Sequence, residues 1–353
     1  MRPVHAIKRL HQTVQSRIGH LDFNELWPGF QPTRFALYDD KRACLDGEIF
    51  AKPATFYGNT ALEHQGEIIA VWYVDKDTMA MDADLLASLL VHEMFHAHQT
   101  MKEDTRAPHE WKALALEPEA GNLTRKHREN TVLADLLKRP DDDAFALLGQ
   151  LRSHRQTLYP ETFAYETGVE THEGLAQYVE WRALDTLNPT KARVRRHEAE
   201  ARLRATENLW PARHNHYDIG AGLAWVAHHL DRHFTHALGR ETRSLHTLLF
   251  NDAEPRKETI TPRADITALV KRVDLEAEAR IDEVLSRPHE CIEGAFSLAG
   301  FDPFNTVKRG RYVHANHIFA YVDNGETRYV YGPSVIEIDD AMSIKAIHVP
   351  QAR

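Results

Sequence analysis

The sequence predicts an α+β protein built from three successive parts. Residues 1–80 combine one helical pattern, over residues 5–18, with short extended runs broken by turn residues. Residues 81–250 favour helices, including one over residues 220–236, and residues 251–353 combine one more helix with strand patterns. At 353 residues the chain is long enough for two domains.

The clearest strand pattern of the first part covers residues 67–74. Its sequence, Glu-Ile-Ile-Ala-Val-Trp-Tyr-Val, is rich in β-branched and aromatic residues. The turn pairs Pro28-Gly29, Asp46-Gly47 and Gly58-Asn59 precede it. We therefore predict a strand that directly precedes the helical part.

Strand patterns also dominate the last sixty residues, after a turn at residues 251–255 and a helix over residues 264–287. The predicted strands are residues 295–299, 311–314, 317–322 and 327–331. Asp323-Asn324-Gly325, between the last two, is a strong hairpin signal. This small β-rich appendage carries no visible catalytic residue, and its role could be substrate access, oligomerisation or stability.

Composition narrows the expected partners. Acidic residues outnumber basic ones by 52 to 43 and no strong basic tract occurs, so nucleic acid is not an expected partner. No apolar run is long enough to cross a bilayer, so a membrane is not expected either, and the amino terminus lacks the apolar core of a secretory signal. Cys44 and Cys291 have no metal-ligand spacing, which favours reduced thiols in a cytoplasmic protein.

The pattern His-Glu-x-x-His occurs at residues 92–96, inside a predicted helix. Asp82 or Asp84 can cap the start of this helix. Leu85 and Leu89 share the face of the two histidines, and a second apolar stripe lies on another face. That stripe consists of Leu86, Leu90, Met94, Ala97 and Met101. A helix that is apolar on two sides belongs inside a protein.

The spacing of the two histidines is typical of zinc-dependent hydrolases. One helical turn separates His92 from His96, so both imidazoles project from one face and can bind the same metal ion. In such a site the metal makes water nucleophilic near neutral pH, and Glu93 lies where it can take the proton. His98 is about 140° round the helix from the pair, so we expect it at the surface or behind the ligands.

A catalytic zinc needs a third protein ligand and leaves the fourth position for water. Residues 164–180 are the best source, because their acidic side chains fall within one narrow helical stripe. The stripe contains Glu166, Glu170, Glu173, Gln177 and Glu180. Its geometry allows Glu166, Glu170 or Glu173 as the ligand, and a solvated helix face is the alternative interpretation. Residues 99–106 contain no third histidine in the metzincin arrangement.

Three segments, in this order, resemble the gluzincin metallopeptidases and especially their aminopeptidase N branch. His92-Glu93-Met94-Phe95-His96 is the first. Glu173-Gly174-Leu175-Ala176-Gln177-Tyr178 is similar to the family's asparagine-glutamate-glycine-x-alanine helix, although His172 stands where asparagine is usual. Tyr217-Asp218-Ile219-Gly220 is similar to the family's tyrosine-x-x-glycine segment at a helix start.

The resemblance implies a zincin-like catalytic core, with a small mixed sheet and a helical subdomain, that binds one Zn²⁺ per chain. It implies that Glu173 is the third ligand and that the Tyr217 hydroxyl stabilises the oxyanion, with His214 and His216 as alternative donors. In the family a strand before the metal helix is the edge that binds an extended peptide. Residues 67–74 are therefore expected to be that edge, with an ordinary core strand as the alternative.

The resemblance covers residues 60–235 and departs from aminopeptidase N in two ways. The interval between the second histidine and Glu173 is several times longer, with helices predicted at residues 110–116 and 126–137. The glycine-x-methionine-glutamate-asparagine sequence, which anchors a substrate's free amino terminus in that family, is absent. We therefore expect internal cleavage of peptides or unfolded protein segments.

The leading hypothesis is a zinc metallopeptidase in which His92, His96 and Glu173 bind Zn²⁺, Glu93 is the general base and Tyr217 donates to the oxyanion. A zinc hydrolase of a non-peptide acyl compound is one alternative, because metal and base do not specify the leaving group. A non-catalytic binding protein that keeps zinc as a folding element is another. The intact Glu93 argues against it, since a structural site needs no base.

Overall fold

The computed structural model describes residues 3–234 and 238–351, without the side chains of residues 3–5, 212 and 214. The predicted α+β class is confirmed: two separate sheets lie at the beginning and end of the chain, with helices between them. Every helix in the described part of the chain is too short or too polar to cross a membrane.

The first part of the chain forms two helices and a five-stranded sheet. The helices are α1 (Pro3–Ile18) and α2 (Phe23–Leu26). The strands are β1 (Phe35–Tyr38), β2 (Arg42–Leu45), β3 (Glu48–Ala51), β4 (Thr60–His64) and β5 (Glu67–Tyr73). The sheet order is β3-β2-β1-β5-β4, with β1 parallel to β5 and the other pairs antiparallel. The helix predicted at residues 5–18 and the strand predicted at residues 67–74 are both present.

The expectation that residues 67–74 are the free edge of the sheet is wrong. β5 pairs with β1 on one side and with β4 on the other, so both of its backbone edges are used inside the sheet. The edge strand beside it is β4, joined to β5 by the turn Gln65-Gly66, in which both residues have positive φ (54° and 83°). A strand pattern identifies a strand but not its neighbours, because pairing depends on distant residues.

The chain between the two sheets is helical. They are α3 (Lys76–Ala80), α4 (Ala83–Met101), α5 (Glu110–Ala113), α6 (Ala120–Lys138), α7 (Asp142–Leu158), α8 (Pro160–Leu187), α9 (Pro189–Arg204), a 3-10 turn (Thr206–Leu209), α10 (Ala212–His229), α11 (Leu245–Phe250) and α12 (Ala264–Leu285). The helix predicted at residues 220–236 is α10, which starts and ends earlier. Residues 235 and 236 of that prediction lie outside the described residues.

The helix α4 is buried, as its two apolar faces predict. Asp82 caps its start, since its Oδ1 accepts hydrogen bonds from the backbone N–H groups of Asp84 and Leu85 at 3.0 and 3.3 Å. The predicted apolar stripe is at most 1% exposed except for Met101, at the helix end, which is 47% exposed. His98 is not at the surface: it is 4% exposed and its ring lies 5.1 Å from that of Phe30. Burial lowers the pKa of His98 to about 4.

The last part is an antiparallel seven-stranded sheet. Its strands are β6 (His289–Phe301), β7 (Thr306–Arg309), β8 (Tyr312–Ala315), β9 (Ile318–Asp323), β10 (Glu326–Tyr331), β11 (Ser334–Ile338) and β12 (Ile344–Pro350), in the order β10-β9-β6-β12-β11-β8-β7. The hairpin predicted at Asn324-Gly325 is present, with both residues at positive φ. β7, β11 and β12 were not among the predicted strands.

The seven-stranded sheet packs against the helical part. Leu114, just after α5, lies in the apolar core beneath this sheet, and the Trp111 Nε1–H donates to the backbone oxygen of Met342 at 3.2 Å. Because α5 also contacts α8, the sheet is anchored next to the helices that carry the predicted zinc ligands.

Candidate metal centre

Two helices bring His92, His96 and Glu173 together. His92 and His96 lie one turn apart on α4, and Glu173 lies on α8, which packs against it. The Nε2 atoms of the histidines are 3.1 Å apart, and the Glu173 Oε2 lies 3.0 Å from His96 Nε2 and 3.7 Å from His92 Nε2. The ligands of a tetrahedral zinc ion stand about 3.3 Å from one another. The three atoms therefore have the chemical type and the spacing that fit Zn²⁺.

A second polar group lies beside the ring of each histidine: it forms a hydrogen bond with His96 and lies at ion-pair distance from His92. The Gln99 Oε1 lies 2.7 Å from His96 Nδ1, and the Gln99 Nε2–H donates to the backbone oxygen of His172 at 3.0 Å. The Glu180 Oε2 lies 3.3 Å from His92 Nδ1. The hydrogen bond to Gln99 holds a proton on the Nδ1 of His96 and leaves its Nε2 free for a metal.

The charge of the site favours a cation. Burial alone would lower the pKa of His92, but the Glu173 and Glu180 carboxylates raise it to about 10. Burial alone would raise the pKa of Glu173, but the His96 and His92 rings and Arg213 hold it well below its usual range. Carboxylates that favour an extra proton on a buried imidazole also favour a divalent metal ion in its place.

Glu93 is a buried carboxylate with an unusual lack of partners. It is 8% exposed, next to His92 on α4. Among the described residues no side chain or backbone group forms a hydrogen bond or ion pair with it. Burial raises its pKa, while the charges of His92 and His96 oppose that rise. A buried carboxylate without a protein partner is a candidate acid–base group.

A third helix, α10, supplies Arg213 and Tyr217. The Arg213 Nη2–H donates to the Glu173 Oε1 at 2.6 Å, opposite the oxygen that faces the histidines, and lies 3.4 Å from the Tyr217 hydroxyl. The Tyr217 ring stacks on His92, with centroids 6.2 Å apart. Burial and the Glu173 carboxylate raise the pKa of Tyr217, so its hydroxyl keeps its proton. Tyr217 lies in the second turn of α10 and not at the helix start, because the helix already begins at Ala212.

Glu166, Glu170 and His216 are engaged elsewhere. The Glu170 Oε2 accepts from Arg152 Nη2 at 2.5 Å and its Oε1 lies 2.9 Å from His216 Nδ1. Glu166 is paired with Lys126 and Arg155. The acidic stripe of α8 is not a solvated face at this point, because these two glutamates and their partners are all at most 1% exposed. They are Glu166, Glu170, His216, Lys126, Arg152 and Arg155. Of the described residues, only His92, His96 and Glu173 form a group that could hold a metal ion. The side chain of His214 lies outside the described residues.

Two glycines allow α8 and α10 to approach closely enough to bring Glu173 and Tyr217 together. A Cβ added to Gly174 would lie 2.5 Å from the Gly220 Cα, and one added to Gly220 would lie 2.8 Å from the Gly174 Cα and collide with the Glu170 carbonyl oxygen. Both glycines belong to the segments that carry the gluzincin resemblance. The close helix crossing gives a physical reason for them.

Gly220→Ala is expected to destabilise the protein by about 1–3 kcal/mol or more, because the added methyl group meets rigid backbone. The matched control is Gly222→Ala on the same helix, where the methyl group meets only the Leu133 side chain, at 3.3 Å. Urea denaturation followed by circular dichroism measures both free energies of unfolding. Equal values for the two variants would contradict the crossing described here.

Several residues around the site were not predicted. Gln99 lies three residues after His96 and Arg213 four residues before Tyr217, so helical spacing from the motif residues was the available signal. Glu180 belongs to the predicted acidic stripe, but helical spacing gives it no role there. Glu110, which pairs with Arg213 and accepts from the Tyr165 hydroxyl at 3.1 Å, belongs to a distant segment and had no local signal.

A scan against protein-family models and searches of curated proteins and of solved structures found no match to this chain.

Proposed function

We propose that this chain is a zinc metallopeptidase of gluzincin type. His92, His96 and Glu173 are the protein ligands of one Zn²⁺, Glu93 is the general base and Tyr217 the oxyanion donor. The observation that carries the proposal is that three convergent ligand atoms lie beside a buried carboxylate, Glu93, without a partner among the described residues. A structural zinc site, which usually closes with a fourth protein ligand, needs no such carboxylate.

A Zn²⁺ ion in this ligand set supplies a Lewis acid that makes water nucleophilic near neutral pH. Glu93 accepts the proton of the attacking water and returns it to the leaving nitrogen. The Tyr217 O–H donates to the carbonyl oxygen of the scissile bond as negative charge develops there. Arg213 donates to the Glu173 oxygen that does not face the histidines and also to the Tyr217 hydroxyl. It therefore fixes the position of Glu173 relative to Tyr217.

The β4 strand is the edge that fits an extended peptide. It is the outer strand of the five-stranded sheet on the side that contacts α4, which carries both histidines. A peptide that pairs with β4 would gain main-chain hydrogen bonds, which do not depend on the side chains of the peptide. Together with the absent anchor for a free amino terminus, this edge favours cleavage within a chain.

Tyr217→Phe is expected to lower kcat by about 10²–10³ while zinc content and ground-state binding stay near wild type, because one oxyanion donor is lost. Steady-state kinetics on a peptide substrate, with zinc measured by elemental analysis, checks this. The matched control is Tyr57→Phe, at a 72% exposed tyrosine on the surface of the first part. An unchanged kcat in Tyr217→Phe would remove the assigned role.

The proposal is tested by incubating zinc-loaded protein with a broad peptide library and identifying products by mass spectrometry. Half of the library carries acetylated amino termini, and Glu93→Gln protein is the control. We expect internal cleavage of blocked and free peptides alike by the wild type. A strict need for a free amine would overturn internal cleavage. If the protein hydrolyses acyl esters but cleaves no peptide, a non-peptide hydrolase replaces the proposal. If it hydrolyses neither, a binding protein replaces the proposal.

A further inference from the structure

The loop between β6 and β7 carries a large apolar side chain to the edge of the candidate site. The Phe304 ring centroid lies 6.4 Å from the Tyr217 ring and 5.4 Å from the Arg213 guanidinium carbon. Tyr217 in turn stacks on the ring of His92. One tyrosine ring therefore separates Phe304 from a candidate zinc ligand, although Phe304 belongs to the β-rich last part of the chain.

Phe304 is exposed although hydrogen bonds to Asp302 fix the loop that carries it. The Asp302 Oδ1 accepts from the Phe304 backbone N–H at 2.9 Å, the Asp302 Oδ2 accepts from Asn305 Nδ2 at 2.8 Å, and the Asp302 backbone oxygen accepts from the Thr306 hydroxyl at 2.7 Å. The Phe304 side chain is nevertheless 40% exposed. Leaving part of a phenyl ring in water forgoes hydrophobic stabilisation, which a bound apolar group would restore.

A groove with an apolar floor runs past this ring. It consists of two adjoining recesses, which lie between the start of α10, α12 and β7. The recesses share Trp210, Pro211, Val273, Ala277, Thr306 and Val307. Arg213 lines the first recess and Phe304 the second, so the groove begins at the partner of Glu173. Its lining suits an apolar side chain.

We propose that Phe304 is a specificity-determining residue, and that with this groove it binds a large apolar or aromatic side chain of the substrate next to the scissile bond. This inference rests on the proposed peptidase function. The Phe304 ring lies 6.4 Å from the ring whose hydroxyl we assign to the carbonyl oxygen, a distance that a peptide residue next to that carbonyl can span. The β-rich part of the chain thus contributes to the choice of substrate, and peptides with phenylalanine or leucine at that position are the preferred class.

The first test compares the cleavage of matched peptides that differ only in phenylalanine, leucine or alanine at the site next to the cut. Phe304→Ala is expected to lower kcat/KM for the phenylalanine and leucine peptides by about tenfold and to change kcat/KM for the alanine peptide little, because one methylene group in an apolar pocket is already worth about 10- to 200-fold. Phe304→Leu should restore most of the preference. Tyr331→Ala, at a 72% exposed aromatic on the opposite edge strand of the same sheet, is the control. Identical profiles in wild type and Phe304→Ala would overturn the inference.

The second test measures binding without turnover. Fluorescence anisotropy of the same labelled peptides on Glu93→Gln protein is compared with that on the Glu93→Gln/Phe304→Ala and Glu93→Gln/Phe304→Leu proteins. The phenylalanine peptide should bind about tenfold more weakly only when Phe304 is alanine. Selective binding combined with no cleavage by wild type would overturn the peptidase function and leave the binding role of Phe304. Equal binding of all three peptides to all three proteins would overturn the role of Phe304, whatever the wild type cleaves.

Discussion

Glu93→Gln protein is expected to keep its zinc and lose nearly all hydrolysis, by about 10⁴-fold or more. General-base catalysis alone contributes about 10²–10⁴, and the amide also fails to pass the proton to the leaving nitrogen. The amide keeps the shape of the carboxylate, and Glu93 has no partner among the described residues whose loss could disturb the fold. Rates on a library-derived peptide and zinc per chain by elemental analysis are the two measurements.

The matched control for this variant is Glu103→Gln, just beyond the end of α4, where the side chain is exposed. Its activity should equal that of the wild type. Turnover retained by Glu93→Gln would move the proton transfer to another group. Loss of zinc from Glu93→Gln would instead show that the carboxylate holds the metal centre together.

Arg155→Met is expected to destabilise the protein by about 3–5 kcal/mol, the largest stability effect anticipated here. Arg155 is fully buried and donates to both oxygens of Glu129, at 2.8 and 2.9 Å, and to Glu166. Removing one member of a buried ion network leaves the opposite charges uncompensated. Urea denaturation gives the free energy of unfolding.

Arg128→Met is the control for this measurement. Arg128 lies on α6 like Glu129, but its side chain is 48% exposed and pairs with Glu258 at 3.1 Å. An exposed pair of this kind contributes about 0–1 kcal/mol. A loss of less than about 1 kcal/mol in Arg155→Met would contradict the idea that Glu166 and Glu129 depend on this arginine. Zinc per folded chain should stay the same in both variants, because Glu166 is not one of the ligands.

The geometry of the histidine pair could be predicted because it is local. His92 and His96 follow helical spacing, and the buried helix that carries them is visible in its two apolar faces and in its cap at Asp82. Glu166, Glu170 and Glu173 share one helical stripe, so periodicity could not separate them. What separates them is the position along α8: Glu173 lies opposite the histidines of α4, and the other two lie opposite Lys126, Arg152 and Arg155.

Non-local features could not be predicted in the same way. The strand pattern of β5 is clear, but its position inside the sheet depends on pairing with β1, some thirty residues earlier, and with β4. Phe304 lies beside Tyr217 because the β-rich part, which is distant in sequence, packs on α5 through Trp111 and on α12. The predicted start of α10 is too late because the first residues of that helix lack an apolar periodicity.

The most direct test of the metal centre is elemental analysis of protein purified without added metal. Wild type, His92→Ala, His96→Ala and Glu173→Ala are compared, with His197→Ala as a control because that histidine side chain is 80% exposed. Three convergent ligands should hold one zinc per chain in wild type and in the control, and each ligand variant should lose it while it remains folded by circular dichroism. Equal zinc content in the wild type and in the three ligand variants would contradict the site.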